Sequence, residues 1–453
     1  MKDKLFQFSL FAIVTLISSF AILNIVDFIY ICIVSLFLGI AIFDIKTSII
    51  ITIIARDFIL KSYFYYTGHV LNISHVIFYH LVVLLLILML VFREKKRYHF
   101  ELFNSTLILF VIYLAFSTFF ISNYRGYGIE KLFYFALTLL GCFAISNIIL
   151  KPKDVKFFAM ASFYQGLFFV LVCIVSEFDY KLFNGTFSKS RFSLLAINPI
   201  WVSRLLFYGL LSNIYVFKNS KNRLLKLGLI IASIFQFYYG FLTGSRGPIV
   251  ALIIGVILYS FSFLKKVSLS KIMIVLLFFA IIIGIGFSSM INDPNSRFAG
   301  SGTGDSSTQA RLFAQYQAYT VFMSNVIFGG GWGSFAQFPL EYPHNIFTEI
   351  GSETGLIGLL FLLTLLVVTL FRLVSIYKNH NTPESDFIIA VLGTSFINAN
   401  LSGHIGLNPF FWLSLYLLNH YYLISVKKVN EVKLSNKINN NLSTNKKTLT
   451  YAK

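Results

Sequence analysis

The feature that most constrains this chain is a succession of apolar runs, each close to the length of a membrane-crossing helix. A helix needs roughly 20 apolar residues to cross the hydrocarbon core of a bilayer. The first run begins at Leu5, and the last, 387–424, is broken by glycine and proline into two helices. The other runs lie near 28–43, 47–66, 74–92, 105–122, 132–150, 155–176, 199–217, 227–243, 247–264, 271–288 and 346–371. This pattern predicts an all-α protein, a polytopic transmembrane helical bundle of about 12–14 spans.

The composition agrees with that prediction, since 57% of the residues are hydrophobic and only 12% are charged. A water-soluble domain is about half apolar and a quarter charged, so a soluble globular fold is excluded. The net charge of +19 comes from 37 basic and 18 acidic residues. Basic connections such as 93–97 and 218–226 fall on one side of the predicted spans, which the positive-inside rule makes cytoplasmic. The excess charge therefore indicates membrane orientation, and we expect no nucleic-acid partner.

The runs and the loops between them divide the chain into five segments. N-terminal transmembrane helices occupy 1–198, and transmembrane helices that include a Gly-Ser-Arg-Gly segment occupy 199–288. A long extracytoplasmic loop, 289–345, precedes the C-terminal transmembrane helices at 346–425. The tail, 426–453, is rich in lysine, asparagine and serine, which predicts a disordered basic segment in the cytoplasm.

The long extracytoplasmic loop has a pattern of its own, which predicts local structure. The hydroxyl residues at 306–308 can cap a helix, because their side-chain oxygens accept from the first free backbone N–H groups. The apolar residues that follow at helical spacing are Leu312, Tyr316, Tyr319 and Met323. We therefore predict one helix within a structured loop.

Small and aromatic residues near the end of the loop indicate further contacts. The glycine-rich stretch 329–333 is a backbone-permissive turn. Trp332 and Tyr342 could stack on sugar rings or belong to an interfacial aromatic belt. Gly351 and Gly355 form a small-xxx-small pair, which favours close helix packing.

Arginines at the extracytoplasmic ends of the spans indicate an anion site. Arg246 lies in Thr-Gly-Ser-Arg-Gly-Pro, where the flanking glycines let backbone N–H groups and the guanidinium approach an anion. Pro248 suits the first turn of the helix that follows. A guanidinium pairs with phosphate oxygens in a bidentate way, so we expect Arg246, with Arg311 and Arg204, to bind a phosphorylated lipid head. The alternative is that such arginines snorkel at the membrane boundary or lie solvated on an amphipathic helix.

The segment Pro343-His344-Asn345 ends the loop where a transmembrane helix begins. Histidine exchanges a proton near neutral pH, so His344 is a candidate general base. Glu349 and Glu353 share one face of the following helix and could orient or tune it. The alternative is that His344 and Asn345 only cap the helix and that the two glutamates pair with nearby arginines.

Several motifs of energy-coupled or metal-dependent enzymes are absent from the sequence. It contains no Walker-type loop ending in Gly-Lys-Ser/Thr and no His-Glu-x-x-His. Cys32, Cys142 and Cys173 lie in apolar runs and fit neither metal spacing nor a disulfide framework. We expect no cofactor and no metal, so any bond formation must draw on an already activated substrate.

Three motifs, in this order, resemble the O-antigen ligase and Wzy-type polymerase superfamily of bacterial inner-membrane glycan transferases. The first is 244–247, Gly-Ser-Arg-Gly. The second is 310–312, Ala-Arg-Leu, with 328–335, Phe-Gly-Gly-Gly-Trp-Gly-Ser-Phe, downstream. The third is 343–345, Pro-His-Asn, followed after nine residues by Gly-Leu-Ile-Gly. The similarity covers about 200–425, and the N-terminal half contributes only its number of spans.

The resemblance implies a metal- and nucleotide-independent glycosyltransferase, multi-pass in the bacterial inner membrane, with an extracytoplasmic active face. It would transfer a glycan en bloc from undecaprenyl diphosphate to a hydroxyl of a glycan or lipid A–core acceptor. On the matching positions, His344 would be the general base or would orient the acceptor, and Arg246 and Arg311 would hold the diphosphate. Arg204 is a looser match. Membrane lipids and a chain-length regulator protein are the other partners that the resemblance suggests.

Four functional interpretations are open at the level of sequence. The His-Asn motif favours an O-antigen ligase, and a Wzy-type polymerase of O-antigen or capsular polysaccharide shares its donor and chemistry. A polysaccharide flippase is a more remote alternative, because transporters place ionisable residues near the midplane rather than at the edge. In a scaffold subunit of a cell-envelope complex, the motifs would be structural.

Overall fold

The protein is seen here in a computed structural model. It describes residues 101–148, 151–178, 187–188, 191–192, 198–264, 306–340, 342–379 and 382–427. The predicted spans before residue 101 and at 271–288 lie outside the described residues, as do residues 289–305 of the loop and the tail beyond 427.

The described part of the chain is helical. Its long helices are α1 Leu102–Phe116, α2 Arg125–Ile148, α3 Val155–Phe178, α4 Pro199–Asn219, α5 Arg223–Leu242, α6 Arg246–Leu264, α7 Ser306–Ser324, α8 Ile346–Asn379, α9 Pro383–Leu401 and α10 Pro409–Tyr422. Short helical turns lie at Ser117–Ile121, Pro152–Asp154, Ser334–Gln337, Ile405–Leu407 and Leu423–Lys427. The two-residue strands β1 Phe187–Ser188 and β2 Arg191–Phe192 pair in antiparallel fashion. Each apolar run predicted within the described ranges is a helix.

Within the described ranges, five helices are long and apolar enough to cross a membrane by length and composition. They are Leu102–Ile121, Pro152–Leu171, Pro199–Asn219, Arg223–Leu242 and Ile346–Lys378. Arg246–Ser260 is a shorter apolar helix. The predicted all-α polytopic architecture is therefore confirmed, while the span number of the whole chain stays a prediction.

Local chemistry sets where several helices begin. Proline occupies the first turn of α4, α9 and α10, where its missing N–H is not needed. The Asn198 side chain accepts from the Ile200 N–H at 3.0 Å, which satisfies one free donor of α4. Asn222 caps α5 in the same way.

Small and polar residues bring α4 close to its neighbours. A Cβ on Gly166 of α3 would lie 2.7 Å from the Cα of Gly209, so only glycine permits this helix crossing. The Asn213 amide donates to the Gln236 side chain of α5 at 2.8 Å. Helix α4 also packs against α6 and α9, so it is a central element of the described bundle.

Helix α8 bends at Gly355, and the glycine-rich turn 329–333 packs against this bend. Gly355 has φ 65 and ψ −160, outside helical geometry. The freed backbone groups pair with the turn, since Leu356 N donates to Val326 O at 2.9 Å and Gly330 N donates to Ser352 O at 2.8 Å. The close approach at Gly355 is therefore to a loop backbone, while Gly351, the other member of the small-xxx-small pair, faces Phe322 of α7.

The loop helix predicted from 306–323 is present as α7, but alanines form its packed face. Ala314 and Ala318 are buried against Phe335. The apolar residues at helical spacing point away from this face and are more than half exposed: Leu312, Tyr316, Tyr319 and Met323.

Candidate functional site

Arg204 anchors a buried arrangement at the end of α9. Its Nη2 donates to the carbonyl oxygens of Asn398 at 2.6 Å and Ser402 at 2.9 Å, and its Nη1 donates to Asn408 Oδ1 at 3.0 Å. These acceptors lie on both sides of Leu401, the last residue of α9. Because all three acceptors are neutral, the guanidinium keeps its full positive charge inside the protein.

Arg311, and the glycine that follows Arg246, approach Leu401 from different helices. Nη1 of Arg311, on α7, lies 3.5 Å from the Leu401 carbonyl oxygen. Gly244 has φ 61, and the turn that it allows starts α6 at Arg246. A Cβ on Gly247 would lie 3.4 Å from Leu401 Cβ. The structure thus brings together three segments that the sequence leaves far apart.

His344 lies next to this arrangement in a special backbone conformation. Its φ of 62 is positive, and such a value in a non-glycine residue is a common sign of a functional constraint. The ring is 4.5 Å from that of Tyr342, edge to face. Its buried Nδ1 has no hydrogen-bond partner among the residues that the structure describes.

The surroundings keep the His344 imidazole neutral. Burial, and then the positive charges of Arg311 and Arg204, lower the pKa of His344 from 6.5 to about 4. At neutral pH the ring therefore carries a nitrogen lone pair that can accept a proton. This is the protonation state that a general base needs.

Asn345 has a capping role, as one of the two interpretations of this segment holds. Its Oδ1 accepts from Phe347 N at 2.9 Å and from Thr348 N at 3.2 Å. These bonds satisfy free donors in the first turn of α8. Asn345 therefore fixes the start of the helix that directly follows His344.

The two glutamates pair with a lysine and not with an arginine. Lys131, near the start of α2, places its Nζ 2.5 Å from Glu349 Oε1 and 2.7 Å from Glu353 Oε2. All three side chains are buried. The alternative in which the glutamates pair with arginines is therefore wrong, because their cationic partner is Lys131. That a glutamate orients or tunes His344 stays a prediction. We call these three residues the lysine–glutamate triad.

The triad also forms a hydrogen bond with the segment 402–408, which links α9 to α10. Oε2 of Glu349 accepts from Ile405 N at 2.9 Å. On the other side of the segment, the Trp412 indole donates to Ile405 O at 3.0 Å. Since Asn408 in the same segment accepts from Arg204, the triad and the arginine hold one piece of backbone from two directions.

Sequence reasoning missed His404, which lies in this linking segment. Its Nδ1 accepts from Gly406 N at 3.1 Å, so Nε2 is the ring nitrogen left to donate. Its ring is 5.7 Å from Tyr342, which therefore contacts both His344 and His404. The glycine–proline break in the sequence was the available signal, because His404 lies between Gly403 and Pro409.

Trp332 packs in the interior and neither lines an open sugar site nor belongs to an interfacial belt. It is fully buried, and the Lys131 ammonium lies 4.2 Å from its ring centroid. Its backbone N–H donates to Ser117 Oγ at 3.0 Å. The glycine-rich turn thus packs against α1 and the triad.

The fold and the site define a class of protein: a multi-pass helical membrane protein with a neutral histidine beside one buried and one part-exposed arginine. The family model described as O-antigen ligase (Wzy_C) matches residues 228–363. This match confirms the resemblance seen in the motifs and supports membership of the O-antigen ligase superfamily, whose members are glycosyltransferase-like ligases and polymerases. It includes Arg246, Arg311 and His344, and it ends before the segment that holds His404. No curated protein matches the chain.

Proposed function

We propose that this protein transfers a glycan en bloc from undecaprenyl diphosphate to an acceptor hydroxyl in O-antigen or related surface-polysaccharide synthesis. One observation carries the proposal: a half-buried imidazole, kept neutral, lies within the field of Arg311 and Arg204. The reaction needs no nucleotide or metal in this scheme, because the donor diphosphate is already an activated leaving group. The active face would be extracytoplasmic in the bacterial inner membrane, where the positive-inside rule places the ends of these helices.

The arginines would receive the donor diphosphate. Arg246 and Arg311 are each part-exposed and start or lie on different helices, so they could reach its oxygens from two sides. Arg204 is buried and bonded to neutral oxygens, so we assign it to the positive potential behind the site. As the glycosidic C–O bond breaks, the departing diphosphate gains negative charge, which these guanidinium groups stabilise.

His344 would act on the acceptor. Its free nitrogen takes the proton of the acceptor hydroxyl as that oxygen bonds to the anomeric carbon of the donor. The electron pair of the broken bond leaves with undecaprenyl diphosphate, and the proton remains on the imidazole until water or the product diphosphate removes it. Atoms and charge therefore balance without a further reactant.

Donor binding would also change the pKa of His344. Two of the causes that lower the pKa of His344 are the charges of Arg311 and Arg204. A bound diphosphate offsets those charges, so the pKa would rise toward 6.5 when the donor is in place. The imidazole would then be a stronger base in the loaded enzyme than in the empty one.

A Wzy-type polymerase is the second candidate, because the donor and the chemistry are the same and only the acceptor differs. A gene deletion separates the two. Long glycan left on the lipid carrier indicates a ligase, whereas an acceptor carrying a single repeat unit indicates a polymerase. An unchanged glycan profile would contradict both and favour the remote flippase alternative or a scaffold.

Complementation of that strain tests the site. His344→Asn is the sharpest variant, since asparagine tolerates a positive φ but is not a base. We expect normal insertion and no rescue of the glycan profile. His420→Asn on α10 is the matched control and should restore it fully.

A further inference from the structure

Helix α7 carries an apolar stripe on the side opposite its packed face. Ala314 and Ala318 are buried, and a rotation of about half a turn from them leads to the stripe. The stripe consists of Leu312, Tyr316, Tyr319 and Met323, each more than half exposed. Four large apolar side chains in a row on one exposed face indicate a contact surface and not a random scatter.

The stripe continues into an apolar surface that belongs to a membrane span. Beyond α7, Ile327 and Phe328 are also exposed. They lie at the bend of α8, where Leu356 N donates to Val326 O. From Leu356 the exposed apolar residues of α8 run on through Leu360 and Phe371. Because α8 is long and apolar enough to cross a bilayer, its exposed apolar side is where lipid chains would lie.

The chemistry of the stripe fits the boundary of a bilayer. Two of its four members are tyrosines, which favour the membrane–water interface because the ring is apolar and the hydroxyl is polar. Arg311 directly precedes the stripe, and an arginine beside an apolar face can extend its guanidinium to lipid phosphates. Gln317 and Ser324 lie on one flank of the helix, where Phe313 is also exposed.

We propose that α7 lies on the extracytoplasmic leaflet with Leu312, Tyr316, Tyr319 and Met323 inserted among the lipids. The occupant of this surface is the phospholipid bilayer. The consequence for the site is positional: Arg311 and the Leu401 end of α9 are held at the level of the lipid headgroups. A lipid-linked diphosphate could then reach the arginines without leaving the membrane. This surface does not depend on the proposed reaction, so it is tested without any activity measurement.

The test uses the full-length protein in phospholipid vesicles with a single environment-sensitive probe. Cys32, Cys142 and Cys173 are replaced by serine, and one cysteine is introduced at Tyr319 and labelled with a nitrobenzoxadiazole dye. Ser324→Cys is the matched control, because this exposed residue lies well around the helix from Tyr319. Two quenchers are compared, a nitroxide near the ester end of a phospholipid chain and aqueous iodide.

A probe at 319 should show blue-shifted emission, strong loss of fluorescence with the lipid nitroxide and little loss with iodide. The probe at 324 should show the reverse order. Strong iodide quenching at 319 would overturn the proposal, because the stripe would then face water. Protection at 319 from both quenchers would also overturn it, since a second copy or another segment of this chain would then cover the stripe. Circular dichroism of both labelled variants verifies that they are folded.

Discussion

Two buried charge groups lie at the same end of the bundle, and they are built differently. In the lysine–glutamate triad, Lys131 meets two carboxyl groups at 2.5 and 2.7 Å, so its positive charge is cancelled inside the group and no net positive charge remains there. In the arginine group, Arg204 is held by two backbone carbonyls and one amide oxygen. These neutral oxygens accept three hydrogen bonds from Nη1 and Nη2 without cancelling the charge.

The difference separates a structural role from an electrostatic one. A buried cation that contacts carboxylates projects no positive potential beyond its group, and its removal mainly exposes uncompensated negative charge. A buried cation with neutral partners projects a positive potential, which lowers the pKa of His344 and would attract a diphosphate. Substitutions in the triad should therefore change folding stability, whereas substitutions near His344 and Arg311 should change the reaction.

The largest effect is expected at His344. Without a base, transfer by the His344→Asn protein should fall by about 10²–10⁴-fold, the usual contribution of general-base catalysis. The measurement is transfer in vesicles from a purified lipid-linked donor, with thermal unfolding of the same sample as the stability control. If the His344→Asn protein transferred glycan at the wild-type rate, His344 would not be the general base.

The second-largest effect is expected when Lys131, the cation of the lysine–glutamate triad, is replaced. Lys131→Met leaves two buried carboxylates facing each other, and breaking such a buried pair typically lowers the free energy of unfolding by about 3–5 kcal/mol. Fluorescence-detected thermal unfolding in detergent measures the change. The triple variant Lys131→Met, Glu349→Gln, Glu353→Gln removes the uncompensated charges and should recover part of the loss. An unchanged melting temperature for Lys131→Met alone would show that the triad does not stabilise the folded protein.

Replacing Arg311 and Arg204 in turn by lysine separates the expected binding role of the first from the structural role of the second. Arg311→Lys keeps the charge but loses the planar fork, so it should raise KM for the donor about tenfold and leave stability unchanged. Arg204→Lys cannot reach three acceptors at once, and it should lower the melting temperature. If both variants behaved alike, the distinction between the two arginines would fail.

The smallest effect is a displacement of the pH profile. A base must be deprotonated, so activity falls as pH drops through its pKa. For kcat/KM, which reports the empty enzyme, the acid limb should lie near the pKa of His344, about 4. For kcat it should lie at higher pH, because the bound diphosphate offsets the arginines. If the acid limbs of the kcat/KM and kcat profiles fell at the same pH, donor binding would not change the pKa of His344.

The sequence predicted several parts of the structure correctly because they follow from local rules. The apolar runs at 105–122 and 199–217 became α1 and α4, since length and hydropathy alone decide whether a segment can be a span. The loop helix was predicted by its cap and spacing and is present as α7. The motifs singled out Arg246, Arg311 and His344, and the structure places their segments around one end of α9 or beside it.

Other features could not be predicted, because they depend on contacts between distant segments. Lys131 and Glu353 are 222 positions apart, and a lone lysine at the end of a span looks like an orientation signal. His404 had no recognisable motif around it. The spacing on α7 did not show which face would pack, since small alanines allow a closer approach than Leu312 or Tyr316.

The sequence by itself determined that the chain is a helical membrane protein, and it named the histidine and the arginines that could handle an anion. Those are properties of segment length, hydropathy and residue type. Only the tertiary structure decided which charges are cancelled and which remain, because partners such as Lys131 and Glu349 meet only after folding. The field around His344 depends on distances in three dimensions, and spacing along the chain does not contain them.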